Sequence, residues 1–395
     1  MSDVVAKVSA IPGAGQQFTG ILPGQWIRDA IAAGDIVGSS LDRIEDDQVQ
    51  PASIDLRLGR YAYPVRTSFL PGKELRVLEK LKRLDPEFEN FKIDLREGAM
   101  LSKDRIYVIP LLEFVNLRNS EITAFSNPKS STGRLDILTR LIADHATHFD
   151  QLEPGYKGNL FLEVAPRSFN VVVKTGTRLN QLRFSRARGE GARGVTASEW
   201  NALLDQGQIC DPLPIDRKRT GYLPFTIDLE GSRTEGKIVG YRARKYANRI
   251  DIDRRDYDPL EFWEPLRFHK SSPLILEPDE FYILMTRESI AVPPEYAAEM
   301  MPYDTRAGEF RVHYAGFFDP GFGWNPTTKR VGGSRGVLEV RSHEVPFLLE
   351  HGQIVGWLRY DRMAAPPSFL YGQDAASNYQ GQRLKLSKQF AVLDE

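Results

Sequence analysis

Cysteine is almost missing from this chain: Cys210 stands alone among 395 residues. One thiol cannot close an internal disulfide or furnish a multi-cysteine metal cage. Charge of one sign is missing too, since the net charge is -1. No global field therefore draws the molecule to nucleic acid or anionic lipid, and an anionic ligand must be held by a local site. No stretch approaches the ~18–20 unbroken apolar residues of a membrane span. The opening "MSDVVAKVSAIPGAGQQFTG" lacks the basic start and apolar run of a signal peptide. With 41% hydrophobic and 27% charged residues, the expectation is a soluble globular protein of the reducing cytoplasm, with no membrane or nucleic-acid partner.

The chain is rich in self-similarity. "LEVAPRSFNVVVKTGTRLNQLRF" (Leu162–Phe184) and "LEVRSHEVPFLLEHGQIVGWLRY" (Leu338–Tyr360) align without a gap, pairing Gly176 with Gly352. "PASIDLRLG" from Pro51 is echoed by "PFTIDLEG" from Pro224, and "WIRDAIAAG" from Trp26 by "WNALLDQG" from Trp200. Three landmarks in one order at nearly constant offset indicate a tandem duplication. The expected parts are an N-terminal extension (1–19), repeat one (20–185), a Gly/Arg-rich connector (186–194), repeat two (195–362) and a polar, Pro-led C-terminal arm (363–395) that reads as mobile.

Most of each repeat reads as strand. "RIYVIPLLEFVNL" and "EFYILMTRESIAV" are β-branched and aromatic runs bounded by turn residues. "NLFLEVAP" alternates, placing Leu160, Leu162 and Val164 on one face and Phe161 and Glu163 on the other. Helical periodicity is confined to the two Trp-containing segments and "EKLKRLDPEF", which Pro86 interrupts. The fold class is therefore mainly β, a duplicated sandwich or barrel-like unit with a few short helices.

Several motifs fail under scrutiny. "GEGARG" (Gly189–Gly194) has dinucleotide-site spacing, but its Arg-rich flanks and the Pro-broken "CDPLPIDR" suit a linker better. "GSRTEGKI" (Gly231–Ile238) nearly spells a phosphate loop, yet Ile238 replaces the hydroxyl that would meet magnesium. "GGSRG" around Ser334 runs into a strand, not the helix of a nucleophile elbow. His145 and His148 have i, i+3 spacing without a third ligand, and the zinc-deaminase signature of His-x-Glu with Cys-x-x-Cys is missing.

Three segments remain: "QPASIDLRLG", "NPKSSTGRLDI" (Asn127–Ile137) and "EPGYKGNLFLEV" (Glu153–Val164). The second gathers Lys129, Ser130, Ser131 and Arg134 around a small Gly, which supplies cations, hydroxyls and open backbone N–H groups suited to a polyphosphate. By itself it reads more readily as a polar turn.

In this order the three segments resemble the dCTP deaminase and dUTPase superfamily, and most closely the long, double-repeat bacterial dCTP deaminases. That resemblance implies a dUTPase-like (β-clip) unit present twice and a site for a pyrimidine deoxynucleoside triphosphate, dCTP or dUTP. It implies phosphate contacts from Ser130 and Arg134 beside Lys129 and Ser131. It implies a base-binding hairpin around Glu153 and Tyr156, and a catalytic Glu163 beside Phe161. It also implies a C-terminal lid with Tyr371 and Gln382 as nucleotide contacts, magnesium carried on the triphosphate, and no zinc. The expected reaction is hydrolytic deamination of dCTP to dUTP and ammonia, with dUTP diphosphatase or both steps as the alternative, and a silent nucleotide-binding regulatory module as a rival of another class. Repeat two keeps "FDPGFG" (Phe318–Gly323) and Glu339, but its "YDTRAGEFR" lacks the Ser-Ser-x-x-Arg pattern. It therefore reads as chemically degenerate. Family members build each site between neighbouring subunits, so homo-oligomerisation, trimeric in the family, is a further expectation.

Overall fold

The computed structural model describes residues 19–39, 43–119, 121–186, 194–213, 216, 218–231, 237–269, 273–301, 310–313 (backbone), 316–342, 345–373 and 378–393. The expected N-terminal extension up to Phe18, most of the connector with its "GEGARG" motif, and the "YDTRAGE" part of repeat two lie outside the described residues, as does the middle of "GSRTEGKI". Strand makes up 42% of the described residues and helix 12%, so the mainly β expectation holds.

Each repeat is a pair of antiparallel sheets built to one plan. In repeat one, Lys157–Pro166 runs between Ile106–Asn116 and Ile137–Ala143. In repeat two, Arg335–Ser342 runs between Phe281–Ile290 and Phe310–His313. The second sheets also correspond, with Arg178–Arg186 flanked by Ile54–Arg57 and Ile122–Pro128, and Ile354–Arg362 flanked by Tyr222–Thr226 and Tyr296–Met301. Alternation dictates which side chains go inside: along Ile122–Pro128, buried Ile122, Ala124, Ser126 and Pro128 alternate with half-buried neighbours.

Lys157–Pro166 departs from simple alternation, because everything from Leu160 onward is buried on both faces. Leu160, Leu162 and Val164 join the main core. Phe161 joins a second cluster with Phe69, Val77, Leu81, Phe88, Val108 and Ile142. The helix Val77–Leu84 gives that layer Val77 and Leu81; its Val77 N–H is capped by the Asp144 carboxylate at 2.9 Å, and it stops at Asp85, just before Pro86. Phe161 and Glu163 therefore face an apolar cap.

The repeats are joined by hydrogen bonds as well as by chain. Ile250–Asp251 of repeat two pairs in parallel with Val171–Val173 of repeat one, which also pairs with Ala99–Leu101. Arg183 of repeat one donates to the carbonyl of Ala298 at 3.0 Å and to the Asp319 carboxylate at 2.8 Å. Arg341 reaches back to pair with Asp136.

The C-terminal arm corrects the expectation of a mobile tail. Polar composition concealed its anchors: Tyr379, Gln382, Leu386, Ser387, Gln389 and Phe390 are all buried. Ser387 Oγ donates to the carbonyl of Ser131 at 2.7 Å, and Gln389 Nε2 to that of Ile252 at 2.8 Å. The arm thus threads between repeats, and Phe390 closes an aromatic cluster with Tyr257, Phe262 and Trp263. Truncating a buried Phe leaves a cavity as well as losing its transfer energy. Phe390→Ala should lower unfolding stability by ~3 kcal/mol, read from the denaturant midpoint.

Candidate active site between the repeats

A cavity of about 680 Å³ opens at the seam between the repeats, within the ~300–1,000 Å³ range of small-molecule sites. Repeat one contributes the turn after Ile122–Pro128, including Lys129, Ser130, Ser131 and Arg134, with Asp55 and Arg178 nearby. Repeat two contributes Phe317, Phe318, Asp319, Phe322, Val337 and Glu339. The arm supplies Tyr371, Tyr379 and Gln382. One wall is thus cationic and hydroxylic, the other aromatic with two buried carboxyls, Asp319 and Glu339.

Each wall is fixed locally. Lys129 pairs with Asp55, whose Oδ1 stays buried without a partner. Ser131 Oγ and Tyr379 Oη share a hydrogen bond at 2.6 Å. The Arg134 guanidinium donates to the Gln382 side chain and to the carbonyl of Lys385, both at 2.9 Å, and lies 4.0 Å over the Tyr379 ring. Gln382 is held in turn by its bond to the carbonyl of Arg335 at 2.9 Å. In the hairpin, Gly321 has φ +98° and packs so closely on the arm that a Cβ would lie 2.9 Å from the backbone N of Tyr371. A side chain there would be strained and obstructed at once.

Glu339 sits in the middle of its strand with only 4% of its surface exposed. Its Oε1 lies 3.8 Å from Arg134 Nε, which has no hydrogen-bond partner. Burial pushes the Glu339 carboxyl up from the ordinary 4.5 to about 8, opposed by the nearby Arg134 charge. Asp319, sealed in the same wall, is also raised by burial and opposed by its Arg183 partner.

The family model "2'-deoxycytidine 5'-triphosphate deaminase (DCD) N-terminal domain" matches residues 18–188, and the corresponding C-terminal domain model matches 197–390. The chain belongs to the dCTP deaminase family. The crystal structure of 2'-deoxycytidine 5'-triphosphate deaminase from Agrobacterium tumefaciens superposes with a TM-score of 0.80 at 47% identity, covering 88% of this chain and 99% of that one. A "dCTP deaminase, dUMP-forming" of Sulfurihydrogenibium sp. (strain YO3AOP1) is 30% identical over 192 residues, 45% of this chain and 96% of its own length. A "dCTP deaminase" of Halorubrum lacusprofundi is 29% identical over 193 residues, 47% of this chain and 87% of its own. The fold is accordingly dUTPase-like, in a double-length chain.

Seen as a family site, the cavity gathers Lys129, Ser130, Ser131, Arg134, Tyr371 and Gln382 as expected from sequence. It leaves out Glu153, Tyr156, Phe161 and Glu163. Glu153 is exposed and accepts from Gln151 Nε2 at 2.9 Å. Tyr156 bonds the carbonyl of Asn159 at 2.5 Å, and Phe161 lies under the apolar cap. Glu163 Oε1 accepts from Arg140 Nε at 2.8 Å and Nη2 at 2.6 Å, with Arg140 stacked 4.2 Å from the Phe149 ring. The expectation of a site within repeat one needs this correction. The repeat-one carboxylate is consumed by an ion pair, and the carboxyl lining the cavity is its repeat-two counterpart. Sequence reading did not single out Arg178, Tyr379 or Glu339 as site residues. The signal for Glu339 was the hairpin Asp319 that repeat one lacks.

His145 Nδ1 lies 2.9 Å from the carbonyl of Lys73, a local structural contact. Ser334 is followed at once by a strand, and its Oγ accepts from the Gly381 N–H at 2.9 Å.

The raised Glu339 carboxyl carries a sign for stability. An unfolded Glu ionises near 4.5, whereas the folded one keeps its proton to about 8. Between those values the unfolded chain binds fewer protons, so this group lowers stability as pH rises. Glu339→Gln removes that dependence. Its Tm relative to the parent chain should climb as pH goes from 5 to 8 and level off above, measured by calorimetry across that range.

Proposed function

We propose that this chain deaminates dCTP hydrolytically to dUTP and ammonia, with Glu339 as the proton shuttle. The observation that carries the assignment is the buried, pKa-raised carboxyl in a cavity shared by both repeats. Family membership supplies the substrate class. The cationic wall suits a triphosphate: Lys129 and Arg178 bring charge, and Ser130 and Ser131 bring hydroxyls. The aromatic wall of Phe317, Phe318 and Phe322 suits a flat base beside Glu339.

In this reading a water adds to C4 of the cytosine while Glu339 takes its proton. Glu339 passes that proton to N3, then takes the second proton from the C4 hydroxyl and delivers it to the departing amino group, so the C4–N bond breaks as the carbonyl forms. Atoms balance: water in, ammonia out. A carboxyl poised near working pH is well matched to giving and taking the same proton. Arg134, 3.8 Å away, favours the ionised form and is itself anchored by the arm, so the strength of the base depends on the arm's contacts. Magnesium would arrive with the triphosphate, whose oxygens supply most of its ligands. Asp55 Oδ1, buried without a partner in the cavity wall, fits as a carboxylate facing such an ion.

The alternative product is dUMP. Asp319 lines the cavity, and a hairpin Asp is the residue type that would activate water at phosphorus. Pyrophosphate released alongside ammonia identifies that activity, and a silent binding module releases neither.

Glu339→Gln should bind dCTP yet lose roughly 10²–10⁴-fold in kcat for ammonia release. Glu163→Gln should leave kcat within about threefold, because it disturbs an ion pair outside the cavity. Equal losses in the two variants, or a larger one at Glu163, overturn the assignment. Because the base acts ionised, kcat/KM should rise with pH and flatten near 8.

A further inference from the structure

Behind the Lys129 wall lies a second recess, of about 270 Å³. It shares Lys129, Ser131 and Arg178 with the main cavity, but its other walls are different. The turn Lys174–Thr177 closes it from repeat one, Ile252–Arg255 from repeat two, and Lys388 and Gln389 from the arm. It has no aromatic lining and is much smaller than the nucleotide cavity, so it offers no stacking surface for a base.

What it offers is positive charge in excess. Lys129 is answered by Asp55, Lys174 by Asp253 at 2.7 Å, and Arg178 by Asp47 at 2.8 Å and by Glu45. Arg255 and Lys388 have no carboxylate partner among the described residues. Arg255 Nη1 is oriented by the carbonyls of Ile252 and Arg254, at 2.9 and 3.0 Å. Lys388 is half-buried beside it, and burial together with repulsion from Lys129 and Arg255 holds its ammonium down at about 8. Thr175 Oγ1 in the same wall is buried with no hydrogen-bond partner. The half-buried Lys388 ammonium and the buried Thr175 hydroxyl lack partners among the described residues, and with the exposed Arg255 they present donors that a multivalent oxyanion would complete.

We propose that this recess is a binding site for a free inorganic anion of the phosphate or pyrophosphate class, separate from the nucleotide cavity and touching it only through Lys129, Ser131 and Arg178. The site exists only in the assembled chain, since its walls come from both repeats and the arm.

The test uses the intact protein with dUTP saturating, sodium pyrophosphate as titrant in a calorimeter, and ionic strength held constant. Pyrophosphate should still bind to the dUTP-loaded chain. The Arg255→Gln/Lys388→Gln double variant should weaken that binding by at least about tenfold, as for lost charge-assisted hydrogen bonds, with dUTP affinity unchanged. Arg255→Gln alone, an exposed change that leaves folding intact, should shift it in the same direction. Full competition between pyrophosphate and dUTP would place the anion in the nucleotide cavity and overturn the proposal. So would unaltered affinity in the variants, or a variant that loses dUTP affinity while keeping that for dUMP, since the recess would then serve the nucleotide's own tail. The dUTP affinity measured in the same titrations is an independent check on the nucleotide site.

Discussion

The contact between Arg134 and Glu339, 3.8 Å across the seam of two repeats, organises the rest of the molecule. A buried carboxyl cannot ionise cheaply without a nearby cation, and a buried guanidinium needs its own donors satisfied. Here the cation comes from repeat one and the carboxyl from repeat two, while Gln382, the carbonyl of Lys385 and the Tyr379 ring come from the arm. Three stretches remote in sequence must be in register before either charge is tolerable. The inter-repeat strand pairing and the Arg183 and Arg341 contacts supply that register.

The twin residue Glu163 makes the point by contrast. It occupies the corresponding strand position, yet both Arg140 nitrogens close directly on one of its oxygens. The helix Val77–Leu84 and its neighbours roof the same face with Phe69 and Phe88. The same residue in the same sheet position is structural in one half and poised in the other. Surroundings, not backbone, decide which.

Much of this was legible beforehand. The duplication was readable because paired motifs such as Leu162–Phe184 and Leu338–Tyr360 preserve spacing. The turn Lys129–Arg134 was singled out through its place in the family resemblance, since alone it reads as a polar turn. The position of Glu163 outside the cavity was not readable, because strand alternation tells which face a side chain takes, not what covers that face. Arg140 and the apolar cap are non-local in sequence and carry no motif. Yet the complementary losses pointed the right way, since repeat one lacks the hairpin Asp and repeat two lacks the Ser-Ser-x-x-Arg pattern. Two incomplete halves make one junction. The arm misled for a related reason: its anchors, among them Gln382, Ser387 and Gln389, are polar residues buried by specific hydrogen bonds, and composition alone reads them as solvated.

The arm's route has a consequence for the order of events during biosynthesis. Arg134 leaves the ribosome early, Glu339 much later, and the groups that steady the guanidinium only once translation has passed Lys385. Until then the Glu339 carboxyl can face only a guanidinium whose arm-borne partners have yet to be made. On the role proposed for Glu339, the catalytic centre is completed by the arm and not by either repeat.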